Sequence, residues 1–130
     1  MNKKKILLLD DDSQIRFNFK IFFEDEGFKC DAFSNSLDAL NSLENNHYDI
    51  AVVDIRLPGM DGEEFIAQAL NINPRLKYII HTGSTQYKIP DKLKNPEIKI
   101  ADVFHKPILD MNLFAERINQ ILNNEESFLT

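Results

Sequence analysis

The feature that most constrains this chain is a series of short apolar runs, each stopping abruptly at a polar or charged residue and each followed by a longer amphipathic stretch. Ile6–Leu9 ends at Asp10-Asp11-Asp12, Ile50–Val53 ends at Asp54, and Tyr78–Thr82 ends at Gly83. Runs this short read as buried strands. Lys29–Phe33 and Val103–His105 are weaker runs of the same kind. Between them lie segments of helical period. Ile15, Phe19, Phe22 and Phe23 recur on one helical face before Gly27, a good C-terminal stop. Leu37, Leu40 and Leu43 mark a second helix over Ser36–Asn45. Asp61 followed by Glu64 reads as the N-cap of a third, running to about Leu70, and Leu113, Ile118, Ile121 and Leu122 offer the apolar face of a last helix over Asn112–Leu122. Strands separated by helices predict an α/β fold, a parallel sheet covered on both faces.

One stretch resists this alternation. Pro90 and Pro96 fall between Gly83 and Ala101, among Lys88, Lys92, Lys94 and Lys99. A proline inside a helix costs about 3 kcal/mol, so no long regular helix is expected there. The 130 residues, 43% of them hydrophobic, suit one domain with a single core. Acidic residues outnumber basic ones 21 to 15, for a net charge of −6, which disfavours direct nucleic-acid binding. Cys30 is the single cysteine and is expected as a small apolar residue within a strand, not as half of a disulfide. No apolar stretch has membrane-spanning or export-signal length, so a cytoplasmic location is expected, with no membrane partner. The polar tail after Leu122 is expected to fray.

In an open parallel sheet the ligand site lies beyond the carboxyl ends of the strands. Applied here, that rule gathers Asp10 and Asp11 from strand one, Asp54 from strand three, Thr82 from strand four and Lys106 after strand five. Two carboxylates about 4 Å apart repel by roughly 4 kcal/mol at an effective dielectric near 20. Either one carboxyl stays protonated or a hard divalent cation, which suits oxygen ligands, relieves that repulsion. The same arrangement suits phosphoryl transfer. A carboxylate can accept a phosphoryl group as an acyl phosphate, while cation, hydroxyl and ammonium surround the charged oxygens.

Four stretches, Ile6-Leu7-Leu8-Leu9-Asp10-Asp11-Asp12, Val53-Asp54-Ile55-Arg56-Leu57-Pro58-Gly59-Met60-Asp61-Gly62, Thr82-Gly83 and Lys106-Pro107, strongly resemble the receiver domain of two-component response regulators. The resemblance covers residues 3–124 and leaves 125–130 as a short polar tail. It implies a (βα)₅ flavodoxin-like three-layer sandwich with a five-stranded parallel sheet of order 2-1-3-4-5. It further implies Asp54 as phosphoacceptor, Asp11 as a direct Mg²⁺ ligand, Asp10 as its partner acting partly through water, and the backbone carbonyl of Arg56 as a further ligand. Mn²⁺ is an alternative cation. Thr82 resembles the switch hydroxyl and Lys106 its salt-bridge partner, with a peptide bond before Pro107 that is commonly cis in the family. The implied phosphoryl donor is a histidine kinase or a histidine phosphotransfer protein, and the implied output is a switched surface for a downstream protein. Such a domain is a signalling phosphoacceptor that assists only its own phosphorylation and dephosphorylation. With no output domain after residue 124, it is expected to be a stand-alone regulator or relay, or a receiver cut from a larger hybrid kinase.

Two departures concern the output side. The family often carries an aromatic residue three places before the lysine, where this chain has Val103; Phe104 follows, on the opposite face of the strand. The proline-bearing segment 85–101 also occupies the place of the family's fourth helix. Asp12 is expected as a solvated loop acid, His47 as a loop residue, and His81 and His105 as satisfied or half-exposed side chains on adjacent strands. Three rivals fit less well. A phosphatase of the haloacid dehalogenase type wants an acid two residues after its nucleophile, where Arg56 stands, and a flavodoxin-like cofactor protein would not place three aspartates at its phosphate loop. The third, a receiver-shaped module that is never phosphorylated, would not need all the key residues to be present.

Overall fold

Buried backbone must pair its N–H and C=O groups, and the five apolar runs do so with one another. The computed structural model describes residues 3–123 and 128–129. The strands are β1 (Lys5–Leu9), β2 (Lys29–Phe33), β3 (Ile50–Val53), β4 (Lys77–Thr82) and β5 (Lys99–His105). The helices are α1 (Ser13–Asp25), α2 (Ser36–Asn45), α3 (Gly62–Ile72) and α4 (Met111–Asn123). All strand pairs are parallel and the sheet order is β2-β1-β3-β4-β5, as expected. Because side chains alternate along a strand, Leu7, Leu9, Ala51, Val53 and Ile80 meet α2 and α3 on one face. Ile6, Leu8, Ile50, Val52 and Ile79 meet α1 and α4 on the other. Among the described residues no helix is long and apolar enough to cross a membrane.

Each helix start is fixed at the carboxyl rim by a side-chain cap, which satisfies amides that have no partner inside the helix. Asp12 caps α1, accepting from Gln14 N–H (2.8 Å) and Ile15 N–H (3.3 Å); it is therefore a capping residue, not merely a solvated loop acid. Asn35 caps α2 and Asp61 caps α3 in the same way. Gly27, at φ +96°, ends α1 in a conformation that costs a glycine little. Two expected core positions are exposed instead: Leu37 and Leu113. A spacing of three slips about 60° around a helix at each step, so Leu37 drifts off the seam that Ala39, Leu40 and Leu43 occupy. In α4 the seam is Phe114, Ala115, Ile118 and Ile121.

The fourth crossover is where the (βα)₅ pattern breaks. Residues 83–98 carry no α-helix, only a 3-10 turn at Asp91–Leu93, preceded by Pro90. The segment is held by burial of Leu93 and by packing of Tyr87 and Ile89 on the α2/α3 side of the sheet. Tyr87 OH also donates to Glu63 Oε2 at 2.8 Å, tying the segment to the start of α3. β5 begins earlier than expected, at Lys99. Tyr78 pairs with Ile100 and Ile79 with Asp102, so Ala101 is the extra residue of a bulge. Ala101 and Asp102 consequently both face α4, where Asp102 Oδ2 accepts from Arg117 Nε at 2.7 Å. Val103 and Phe104 point to opposite faces, as alternation requires, and the Phe104 ring packs 4.7 Å from that of Phe114.

The polar tail at 125–130 lies mostly outside the described residues. Of it, Phe128 packs against the α1/α4 cluster and Leu129 N–H donates to Ile100 O at 2.7 Å, so these two residues are docked on β5, contrary to the fraying expected.

Candidate functional site

The parallel ladder itself carries the acidic residues to one edge. Asp54 N–H donates to Leu9 O at 2.9 Å and Asp10 N–H to Phe33 O at 3.1 Å, so both aspartates sit one residue beyond paired strand ends. Their burial is nearly complete: Asp10 has no exposed surface and Asp54 is 5% exposed, while Asp11 faces solvent. Carboxylate oxygens of Asp10, Asp11 and Asp54 all lie within 4.8 Å of one another, the one such group of potential metal ligands among the described residues. An all-oxygen set of this charge fits a hard divalent cation. Arg56 follows two residues after Asp54, exposed, with its N–H donating to Asp54 Oδ1 at 3.3 Å.

Lys106 reaches into this cluster from the end of β5. Its Nζ lies 3.0 Å from Asp10 Oδ2 and 3.1 Å from Asp54 Oδ2. Its own backbone N–H is fixed by Thr82 O at 2.8 Å, and the Lys106–Pro107 peptide bond is cis. Thr82 is buried at the end of β4, and its Oγ1 accepts from Ser84 N–H at 3.2 Å. Asp54, Arg56, Gly83, Ser84, Thr85, Gln86 and Lys106 line an open cleft of about 520 Å³, large enough for a phosphoryl group. Thus the expected site residues Asp10, Asp11, Asp54, Arg56, Thr82 and Lys106 converge on one rim.

The charges are in tension. Burial raises the pKa of Asp10 above the usual carboxylate value, outweighing the hydrogen bond from Asp12 N–H and the attraction of Lys106. For Lys106, desolvation would lower the pKa, but its hydrogen bonds and ion pairs to Asp10 and Asp54 hold the ammonium above its ordinary value. The two directions differ because Asp10 is the more deeply buried partner, so desolvation prevails there and the ion pair prevails at Lys106. A carboxyl with a raised folded pKa binds its proton more tightly when folded. Its contribution to stability is complete below its unfolded pKa and lost as pH rises through the folded pKa. An Asp10→Asn variant in metal-free buffer should therefore melt a few degrees higher than the parent at pH 7. The advantage should shrink toward pH 4; calorimetric melting across pH measures it, and an advantage that grows on acidification contradicts this account.

Some features of the site were not anticipated. Gly62 lies so close to the Asp54 backbone that an added Cβ would sit 2.1 Å from Asp54 O. His81 is buried, with neither ring nitrogen hydrogen-bonded, and its Nδ1 lies 3.9 Å from Asp10 Oδ2. Desolvation, and then the Lys106 charge, lower its pKa to about 4. Strand alternation already places it on the opposite face from Thr82, which was the available signal. His105 does not join it: exposed, it lies with Nδ1 3.1 Å from Ser84 O.

A family model described as the response regulator receiver domain matches residues 6–119. The chain belongs to the response regulator receiver family. Receivers are the phosphoacceptor domains of two-component signalling, taking their phosphoryl group from histidine kinases or phosphotransfer proteins. Sporulation initiation phosphotransferase F of Bacillus subtilis is 33% identical over 122 residues, covering 94% of this chain and 96% of that protein. The transcriptional regulatory protein BasR of Escherichia coli is 29% identical, covering 95% of this chain but 54% of that protein. The chain thus spans about half the length of BasR. A CheY-like receiver from Methanospirillum hungatei superimposes with a TM-score of 0.81 at 28% identity, covering 94% of this chain and 95% of that one. The response regulator TrrA of Thermotoga maritima, solved in complex with Mg²⁺ and BeF, shares the fold with a TM-score of 0.78 at 24% identity; 90% of this chain and 97% of that one are covered.

Proposed function

We propose that this receiver accepts a phosphoryl group on Asp54, with Mg²⁺ held by Asp10, Asp11, Asp54 and the backbone carbonyl of Arg56, and thereby alters a protein-binding surface. The observation that carries the reading is the Lys106 ammonium between Asp10 and Asp54 beside a three-carboxylate cluster. A cation bound there would neutralise the carboxylates and the incoming phosphoryl oxygens. An Asp54 carboxylate oxygen forms the new O–P bond as the P–N bond to a donor phosphohistidine breaks, and the electron pair of that bond returns to the imidazole. Lys106 follows the developing negative charge on the phosphoryl oxygens, and the Thr82 hydroxyl donates a hydrogen bond to one of them. The donor is a histidine kinase or phosphotransfer protein, in keeping with the phosphotransferase name of the Bacillus relative, and the Mg²⁺–BeF complex of TrrA supports the choice of cation. The surplus of acid, with a net charge of −6, favours a protein over nucleic acid as the direct output partner.

Incubation with acetyl phosphate followed by intact-mass measurement tests the reading. The protein should gain the mass of one phosphoryl group in Mg²⁺ or Mn²⁺ and none in chelator. No addition under either condition would overturn it.

A further inference from the structure

His81 is a buried polar group that the phosphoryl site leaves unexplained. Its imidazole lies 5.3 Å from the Phe19 ring and 6.4 Å from that of Phe114, an apolar setting in which an aliphatic or aromatic residue would pack as well. Only 1% of it is exposed and neither nitrogen has a hydrogen-bond partner, an arrangement that costs stability unless a partner arrives in another state. Its Nδ1 is aimed at the metal-ligand cluster, 3.9 Å from Asp10 Oδ2.

The same carboxylate oxygen depends on Lys106, 3.0 Å away, while Asp10 Oδ1 accepts from Asp12 N–H at 2.9 Å. If Lys106 moves toward the phosphoryl oxygens, Asp10 Oδ2 loses its ammonium partner in a position with no access to solvent. His81 Nδ1 is the other side-chain nitrogen placed against it. We infer that His81, in its Nδ1–H tautomer, is a positioning residue that donates a hydrogen bond to Asp10 Oδ2 in the loaded site and orients that carboxylate for the cation. A shift of about 1 Å brings the pair to hydrogen-bond distance. Burial keeps the ring neutral at physiological pH, so it offers a proton to the carboxylate without adding charge to a cluster that has to attract a cation. Donors behind metal-binding groups of this kind typically change metal affinity by 10- to 100-fold. The inference rests on the phosphoacceptor reading above.

The test titrates the full chain and its His81→Phe and His81→Gln variants with Mg²⁺ and beryllium fluoride by calorimetry. Imidazole ¹⁵N resonances of the parent protein are recorded alongside. His81→Phe keeps the packing with Phe19 and removes the donor, so it should fold and bind about tenfold or more weakly. His81→Gln, which retains an N–H, should recover most of that loss. In the parent, the Nδ1 signal should shift to that of a hydrogen-bonded donor on loading. Unchanged affinity in His81→Phe, or an Nδ1 signal that does not respond, would overturn the His81 assignment while the phosphoacceptor reading stood. A parent protein that binds neither Mg²⁺ nor the beryllium fluoride complex would overturn both.

Discussion

Replacing Asp54 with asparagine is expected to abolish phosphoryl acceptance while leaving the fold intact. The amide has nearly the shape of the carboxylate but no nucleophilic oxygen, so the rate with acetyl phosphate should fall by on the order of 10³-fold or more. The fold should tolerate the change because Lys106 keeps Asp10, 3.0 Å away, as an ion-pair partner. One carboxylate leaves a cluster whose ligand atoms lie within 4.8 Å of one another, so the metal-free variant should melt at or above the parent temperature. The response to Mg²⁺ should shrink in parallel. Free Mg²⁺ at 100 times its dissociation constant stabilises a one-site protein by about 2.7 kcal/mol, and the variant should lose most of that gain. Intact-mass measurement and melting with and without Mg²⁺ read both effects. A variant that is phosphorylated at the parent rate would move the acceptor to another side chain.

Gly62→Ala should be the most damaging single methyl group near the site. The alanine Cβ would lie 2.1 Å from Asp54 O, 2.9 Å from Asp54 C and 2.9 Å from Ile55 Cα, all backbone atoms that cannot rotate away. Gly62 N–H also donates to Ile55 O at 2.9 Å, so the start of α3 and the loop after β3 are held together at this contact. Relief requires the two segments to separate, at a cost of about 3 kcal/mol. It also moves the Asp54 peptide, and a displacement of about 1 Å at a reacting group lowers rates roughly 100-fold. Gly83→Ala is the natural control for stability: its Cβ would meet nothing within 4 Å and its φ is not positive, so its urea midpoint should stay near the parent value. Urea melts compare the two variants, phosphoryl-incorporation rates compare Gly62→Ala with the parent, and a Gly62→Ala protein as stable as Gly83→Ala would show that the contact is softer than its geometry implies.

The legible parts of this protein were those set by short-range rules. Short apolar runs and helical patterns locate β1–β4 and α1–α4, and the switch-point rule gathers Asp10, Asp11, Asp54, Thr82 and Lys106 at one edge from the sequence alone. What escaped depends on three-dimensional register. The start of β5 at Lys99 was hidden because the Ala101 bulge interrupts its alternation. The proximity of Gly62 to Asp54 follows from how α3 docks, and nothing local in Asp61-Gly62-Glu63 announces it. His81 was underestimated because its burial comes from Phe19 and Phe114, on helices far away in sequence. Leu37 and Leu113 were misplaced because a leucine at the start of a helix can satisfy an approximate spacing without lying on the packed seam.

The helix-poor crossover between β4 and β5 has a consequence for how such a protein could transmit a change of state. A regular helix moves as a rod, because its amides are locked along its own axis. The stretch from Gly83 to Ile98 is instead anchored at separated points: Tyr87 on Glu63, Leu93 in the interior, and one short 3-10 turn. Backbone held at a few pins opens locally for much less free energy than global unfolding demands. Its amide protons should exchange ahead of those in α1 and α4. A partner docking along this flank would then sense a graded loosening or tightening of a ribbon, not the tilt of a cylinder.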